Sequence, residues 1–130
     1  MDYGLGVRLD RPFAQAVEAV TAALEEQGFG VLTTIDVRAT LREKIGVEVE
    51  DYLILGACSP ALARRVLRAD RRIGLLLPCN VVVRTDGDAT VVEAVDPQTM
   101  VTLAGPGGGL GEVADEAAQR LTAALDTLRA

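Results

Sequence analysis

YLILGACSPALARRVLRADRRIGLLLPCNVVVRTDGDATVVEAVD, Tyr52–Asp96, contains the longest apolar runs of the chain and both of its cysteines. Leu53–Ala57, Leu75–Leu77 and Val81–Val83 are near-continuous apolar runs. They are too short for helices and are flanked by Gly or Pro, so they read as strands buried on both faces. Between them, Ser59 and Pro60 form a helix-start pair, Ser as N-cap and Pro at the first helical position, followed by Ala61, Leu62, Val66 and Leu67. This predicts a helix to about Asp70. The next strand, Gly74–Arg84, contains Pro78, which lacks a ladder donor and so implies a bulge or an edge. Thr85-Asp86-Gly87-Asp88 is a hairpin turn with Asp-Gly at its centre, so Ala89–Val95 returns antiparallel.

Upstream, Tyr3–Leu9 alternates apolar and non-apolar residues with period two, the pattern of a half-buried strand. Asp10 as N-cap and Pro12 in the first turn open a helix with Phe13, Ala16, Val17, Val20 and Leu24 at three- and four-residue steps, stopped by Gly28. Gly30–Val37 reads as a second strand, with Val31, Thr33, Ile35 and Val37 on one face. Asp36 then caps a short amphipathic helix ending before Gly46. Downstream, Asp96-Pro97 caps a helical turn through Met100 and Val101, Ala104–Gly111 loosens into a Gly-rich linker, and Glu112–Leu128 forms the last helix.

The order of these elements predicts an α+β fold: a two-layer sandwich with one largely antiparallel five-stranded sheet. The Phe13–Gln27 and Glu112–Leu128 helices cover mainly one face. The helix between the third and fourth strands leaves room for one parallel crossover. A chain of 130 residues, half of it hydrophobic, fits one domain. With two Tyr, two Phe and no Trp, its core is aliphatic and stacking platforms for bases are scarce.

A net charge of −6 opposes attraction to nucleic-acid phosphates and to anionic membrane surfaces, so neither is expected as a partner. Met1–Asp10 has no signal-peptide pattern and no stretch is long enough and apolar enough to span a bilayer, which suggests a cytoplasmic protein with free thiols. There is no His, which removes the commonest acid/base group near neutral pH. A basic cluster, Arg64, Arg65, Arg68, Arg71 and Arg72, reads as the solvated face of a helix.

The thiols are the most chemically suggestive residues. Cys58 immediately precedes the N-cap Ser59, where the positive end of a helix dipole favours thiolate and should bring its pKa below the roughly 8.5 of a free cysteine. Cys79, between Pro78 and Asn80, lies on a strand expected to neighbour that of Cys58. The bland alternative is that both are small buried hydrophobes. Candidate ligand-binding residues are therefore Cys58, Ser59, Cys79, Asn80, Asp96 and Asp36. A soft metal such as Cu(I) or Zn on Cys58 and Cys79 would need further ligands, with Asp36 and Asp96 available. The Gly-rich run matches neither a dinucleotide fingerprint nor a P-loop. No cofactor or catalytic residue follows from these motifs. The readings left open are a binding module, a thiol-based redox or transfer enzyme, and a structural or regulatory dimer.

Four segments carry a resemblance: GFGVLTTIDVRATLREKIG (Gly28–Gly46), YLILGACSPALARRVL (Tyr52–Leu67), IGLLLPCNVVV (Ile73–Val83) and TVVEAVDPQTM (Thr90–Met100). Together they resemble the domain of unknown function 302 family of small bacterial and archaeal proteins. Its motif positions fall on Gly56, Ala57, Cys58 and Pro60, then Pro78, Cys79 and Asn80, with Asp36, Lys44, Gly46, Asp96 and Pro97 in flanking segments. The resemblance implies a compact α+β domain, often a homodimer. Ser59 stands where the family more often has Asn, and Gly105–Gly111 is atypical.

Overall fold

The computed structural model describes residues 2–129. Five strands, β1 (Gly4–Leu9), β2 (Gly30–Asp36), β3 (Tyr52–Cys58), β4 (Cys79–Asp86) and β5 (Ala89–Val95), form one sheet in the order β1-β5-β4-β3-β2. The helices are α1 (Phe13–Glu26), α2 (Val37–Ile45), α3 (Pro60–Ala69), α4 (Gln98–Ala104) and α5 (Leu110–Leu128). The architecture is the expected two-layer α+β sandwich. Every strand pair is antiparallel, so the anticipated room for a parallel crossover is not used. The chain leaves β3 at Cys58, turns through α3 and a 3-10 turn at Arg71–Leu76, and re-enters the sheet at the same end, with Ala57 opposite Cys79.

Period-two alternation decides which side chains are buried. Leu5, Ala94, Val81 and Leu55 stand in one cross-strand row, and Val7, Val92, Val83 and Leu53 in the next. These rows meet α1 through Ala16, Val20, Ala23 and Leu24, and α5 through Val113, Ala117, Leu121 and Leu125. Thr90 enters the same layer and is satisfied, its hydroxyl donating to the Arg11 carbonyl at 2.7 Å. α1 ends as expected at Gly28, and the Phe29 amide donates back to the Leu24 carbonyl at 2.9 Å, which carries Phe29 into the core.

Several local readings change. Asp10 does not cap α1; Pro12 occupies that position without a side-chain bond. In β2 the register shifts between Val31 and Thr33. Val31 pairs with Ala57 but Thr33 with Gly56, so the bulge puts Val31 and Ile35 on opposite faces and leaves Leu32 66% exposed. Leu75–Leu77 is not strand: Leu75 and Leu76 close the 3-10 turn, and Leu75 is 78% exposed. Pro78 follows a cis peptide bond just before β4, so no ladder bond is lost. Pro97, not Asp96, is the N-cap of α4. The Gly-rich run is ordered as a 3-10 turn at Gly107–Gly109, and α5 begins at Leu110. Gly108, at φ 67°, lies against α3, where an added Cβ would sit 2.9 Å from that of Ala69.

Gly56 marks the tightest approach in the sheet. A side chain there would collide with the Thr33 hydroxyl and come within 3.0 Å of Pro78 Cγ. Gly56→Ala is therefore expected to destabilise the protein by ~1–3 kcal/mol through overpacking. The measurement is the urea midpoint at unchanged slope, and an unshifted midpoint would mean that Thr33 and Pro78 yield freely.

Candidate functional site

The end of the sheet where β3 stops and β4 starts encloses a small pit. Ala57 and Cys79 form the last cross-strand pair there, and Cys58 lies one residue beyond it. α3 closes the space from outside with Leu62, Ala63 and Val66, α5 contributes Val113 and Ala117, and Phe29, Leu77 and Met100 complete the wall. Small side chains at Ala57, Ala63 and Ala117 leave a pit of about 30 Å³, room for one small group. Cys58, Ser59 and Cys79 all line it.

A larger groove adjoins the pit and shares Leu77, Cys79 and Met100 with it. It has a volume of about 290 Å³, close to the lower end of small-molecule sites. The 3-10 turn supplies Leu75 and Leu76 on one side, and α4 with its approach supplies Pro97, Thr99 and Leu103 on the other. Asn80 and Val95, on the strand face opposite Val81 and Ala94, line the edge of the groove. Leu103 is 72% exposed at the rim. The polar side chains in the groove are Asn80, Thr99 and the Cys79 thiol, and backbone groups add further polar surface.

The electrostatics of the thiols reverse the expectation for Cys58. Burial raises its pKa, although the residue stands at the start of α3. Ser59 does occupy the N-cap and Pro60 the first helical position, but the Ser59 side chain makes no capping bond; its carbonyl accepts from Ala63 N at 2.9 Å. Cys79 is more deeply buried, and burial followed by the charge of a Cys58 thiolate pushes it up to about 11. Both thiols line the same pit. Both are neutral thiols near pH 7.

Of the sequence-derived candidates, Cys58, Ser59, Cys79 and Asn80 come together. Asp36 does not join them: it sits at the opposite end of β2 from Gly30, the partner of Cys58, and its carboxylate accepts from Ala39 N at 2.9 Å as the cap of α2. Asp96 is half-buried beside the groove, and its carboxylate accepts from Gln98 N at 3.0 Å. Among the described residues, no group of three or more His, Cys, Asp or Glu could hold a metal. Leu75, Met100 and Leu103 line the groove as well. A short apolar run such as Leu75–Leu77 reads as a strand interior, because it has no period that separates buried from exposed positions.

The fold and its pit define a small α+β domain with a neutral, thiol-lined apolar recess at one end of an antiparallel sheet. The chain belongs to the DUF302 family, whose model is described as a domain of unknown function and matches residues 5–128. Its structure is similar to the crystal structure of an uncharacterised conserved DUF302 protein from Bacillus stearothermophilus. That protein is 29% identical, with a TM-score of 0.91 over 99% of this chain and 100% of the other. Among curated proteins, none matches the sequence. No helix among the described residues is long and apolar enough to cross a membrane.

The raised pKa of Cys79 couples the recess to stability. The ordinary value is 9.0 and the folded value about 11, so below pH 9 both states hold the proton. Above that pH the unfolded chain loses it while the folded protein keeps it, and unfolding becomes easier as pH rises. A loss of ~1–3 kcal/mol is expected across this interval. Urea titrations of wild type and Cys79→Ala check it. The wild-type slope against pH should be the steeper, and parallel profiles would refute a buried neutral thiol.

Proposed function

We propose that this chain is a binding module for a small, mainly apolar molecule that lies in the groove over Cys79 and inserts one compact group into the pit beside Cys58. The carrying observation is that groove and pit share Leu77, Cys79 and Met100, so a single ligand can occupy both. Asn80 and Thr99 offer a few hydrogen bonds to orient it, and the neutral thiols supply soft, polarisable surface. Thiol redox or transfer chemistry is the weaker reading, because it needs a thiolate and burial opposes ionisation of both cysteines. A soft metal is favoured by one observation, that both thiols line the same pit, since Cu(I) can displace thiol protons and accept two sulfur ligands.

The chain lacks Trp, so the neutral dye N-phenyl-1-naphthylamine gives a fluorescence titration without background. Saturable enhancement is expected, with affinity lowered ~10-fold or more by Leu103→Asp, which charges the rim without touching the core. Dye binding that is indifferent to Leu103→Asp would rule out this groove. Copper or zinc at one ion per chain in the purified protein would move the assignment to the metal reading.

We also propose that the protein is a homodimer through the sheet face opposite α1 and α5. Ile35, Ile54 and Val82 form an apolar row there, with Ile35 49% exposed and the other two half-buried. Light scattering is expected to give twice the chain mass, falling to one chain mass in Ile54→Asp. A wild-type protein that scatters as a single chain would exclude the dimer.

A further inference from the structure

The helix that closes the pit carries a second, unrelated feature on its outer side. Although the chain has 19 acidic residues against 13 basic ones, the segment Pro60–Leu76 holds five arginines and a single acid, Asp70. Asp70 is engaged as a cap, its carboxylate accepting from Arg72 N at 2.9 Å. Arg65 pairs with Glu116 at 3.4 Å. Among the described residues, Arg64, Arg68, Arg71 and Arg72 form no ion pair, while Arg8, Arg38, Arg42, Arg84, Arg120 and Arg129 all do.

Three of the unpaired arginines share one surface. Arg64, Arg68 and Arg71 line one surface groove whose floor is Pro60, Ala63 and Leu67. Arg64 and Arg68 are one helical turn apart, a like-charge spacing that weakens a helix. The helix dipole favours a cation at Arg68 in the last turn but gives no reason for the other two. All are Arg, in a chain with one lysine, and guanidinium forks match phosphate oxygens in a way that an ammonium does not.

We infer that this groove is an anion site that holds the phosphate of a small organic phosphate monoester between Arg64, Arg68 and Arg71, with the organic body on Pro60, Ala63 and Leu67. A dianion offsets the repulsion among the three like charges, and three guanidiniums can serve three phosphate oxygens. The apolar floor distinguishes an organic phosphate from the free ion. The site shares Ala63 with the wall of the pit but no residue with the groove over Cys79, and its arginines line neither, so either can fail without the other.

Calorimetric titration of the full chain with phenyl phosphate and with inorganic phosphate, at low ionic strength and again with added chloride, tests this. Saturable binding is expected, tighter for phenyl phosphate, and weakened ~10-fold or more by Arg64→Ala or Arg68→Ala. Arg64→Lys should recover part of the loss, because it restores charge without the fork. Arg65→Ala, outside the groove, serves as the control and should leave affinity unchanged. Absence of saturable binding, equal loss in Arg65→Ala, or equal displacement by chloride overturns the proposal. A lipid source is read separately by sedimentation with vesicles of phosphatidic acid in phosphatidylcholine. Vesicle binding without phenyl phosphate binding would also overturn it, by assigning the arginines to a membrane surface.

Discussion

The cross-strand row Leu5, Ala94, Val81 and Leu55 is the contact on which the rest of the structure depends. It brings four strands into one register and presents a flat aliphatic surface to α1 and α5. With so few aromatic residues, burial of many small branched side chains must supply the driving force, each side chain contributing ~1.5–3 kcal/mol. A one-residue slip in any strand would turn its buried set to solvent, which is why the pairing is specific. The bulge in β2 shows the same rule locally, since a single extra residue sends Val31 and Ile35 to opposite sides.

The recess arises where this packing runs out. At the Ala57–Cys79 end the sheet surface is built from small side chains, and the helices above it contribute Ala63 and Ala117. Dispersion contacts are lost wherever facing atoms stand apart, and Ser59 and the two thiols are the pit's few polar groups in an otherwise apolar lining. The same apolar enclosure governs the thiols. A helix N-terminus offers an anion ~0.3–1 kcal/mol, less than the cost of removing a thiolate from water. Position in the chain therefore suggested activation of Cys58, and burial decided against it.

The surface charges divide into two populations. Pairs such as Arg8–Asp86 and Arg42–Glu48 are exposed and close, at 2.6 and 2.7 Å. Each adds little to stability because solvent screens it, so the fold rests on aliphatic packing rather than on ion pairs. The pairs do, however, show that acidic residues are available to most of the arginines. Around Arg64, Arg68 and Arg71 the one acid of the segment, Asp70, is turned to the Arg72 amide, so the lack of ion pairs is a property of that one surface, set by α3 and the 3-10 turn after it.

The sequence alone determined the number, type and order of the strands and the main helices, because period-two alternation in Tyr3–Leu9 and period-3.6 stripes in α1 and α5 reflect burial on one side of each element. It also determined the hairpin at Asp86-Gly87, where local turn chemistry suffices, and the candidacy of Cys58 and Cys79. Tertiary structure alone decided that Leu75 faces solvent, that the Gly-rich run packs as a turn against Ala69, and that β3 and β4 run antiparallel. It also separated Asp36 from the thiols by the length of a strand. These are outcomes of long-range contact: an apolar triplet such as Leu75–Leu77 has no period to reveal its partner, and a crossover segment carries no record of the sheet end to which it returns. Whether a thiol ionises depends on the atoms that other segments place around it, and those segments meet only in the folded chain.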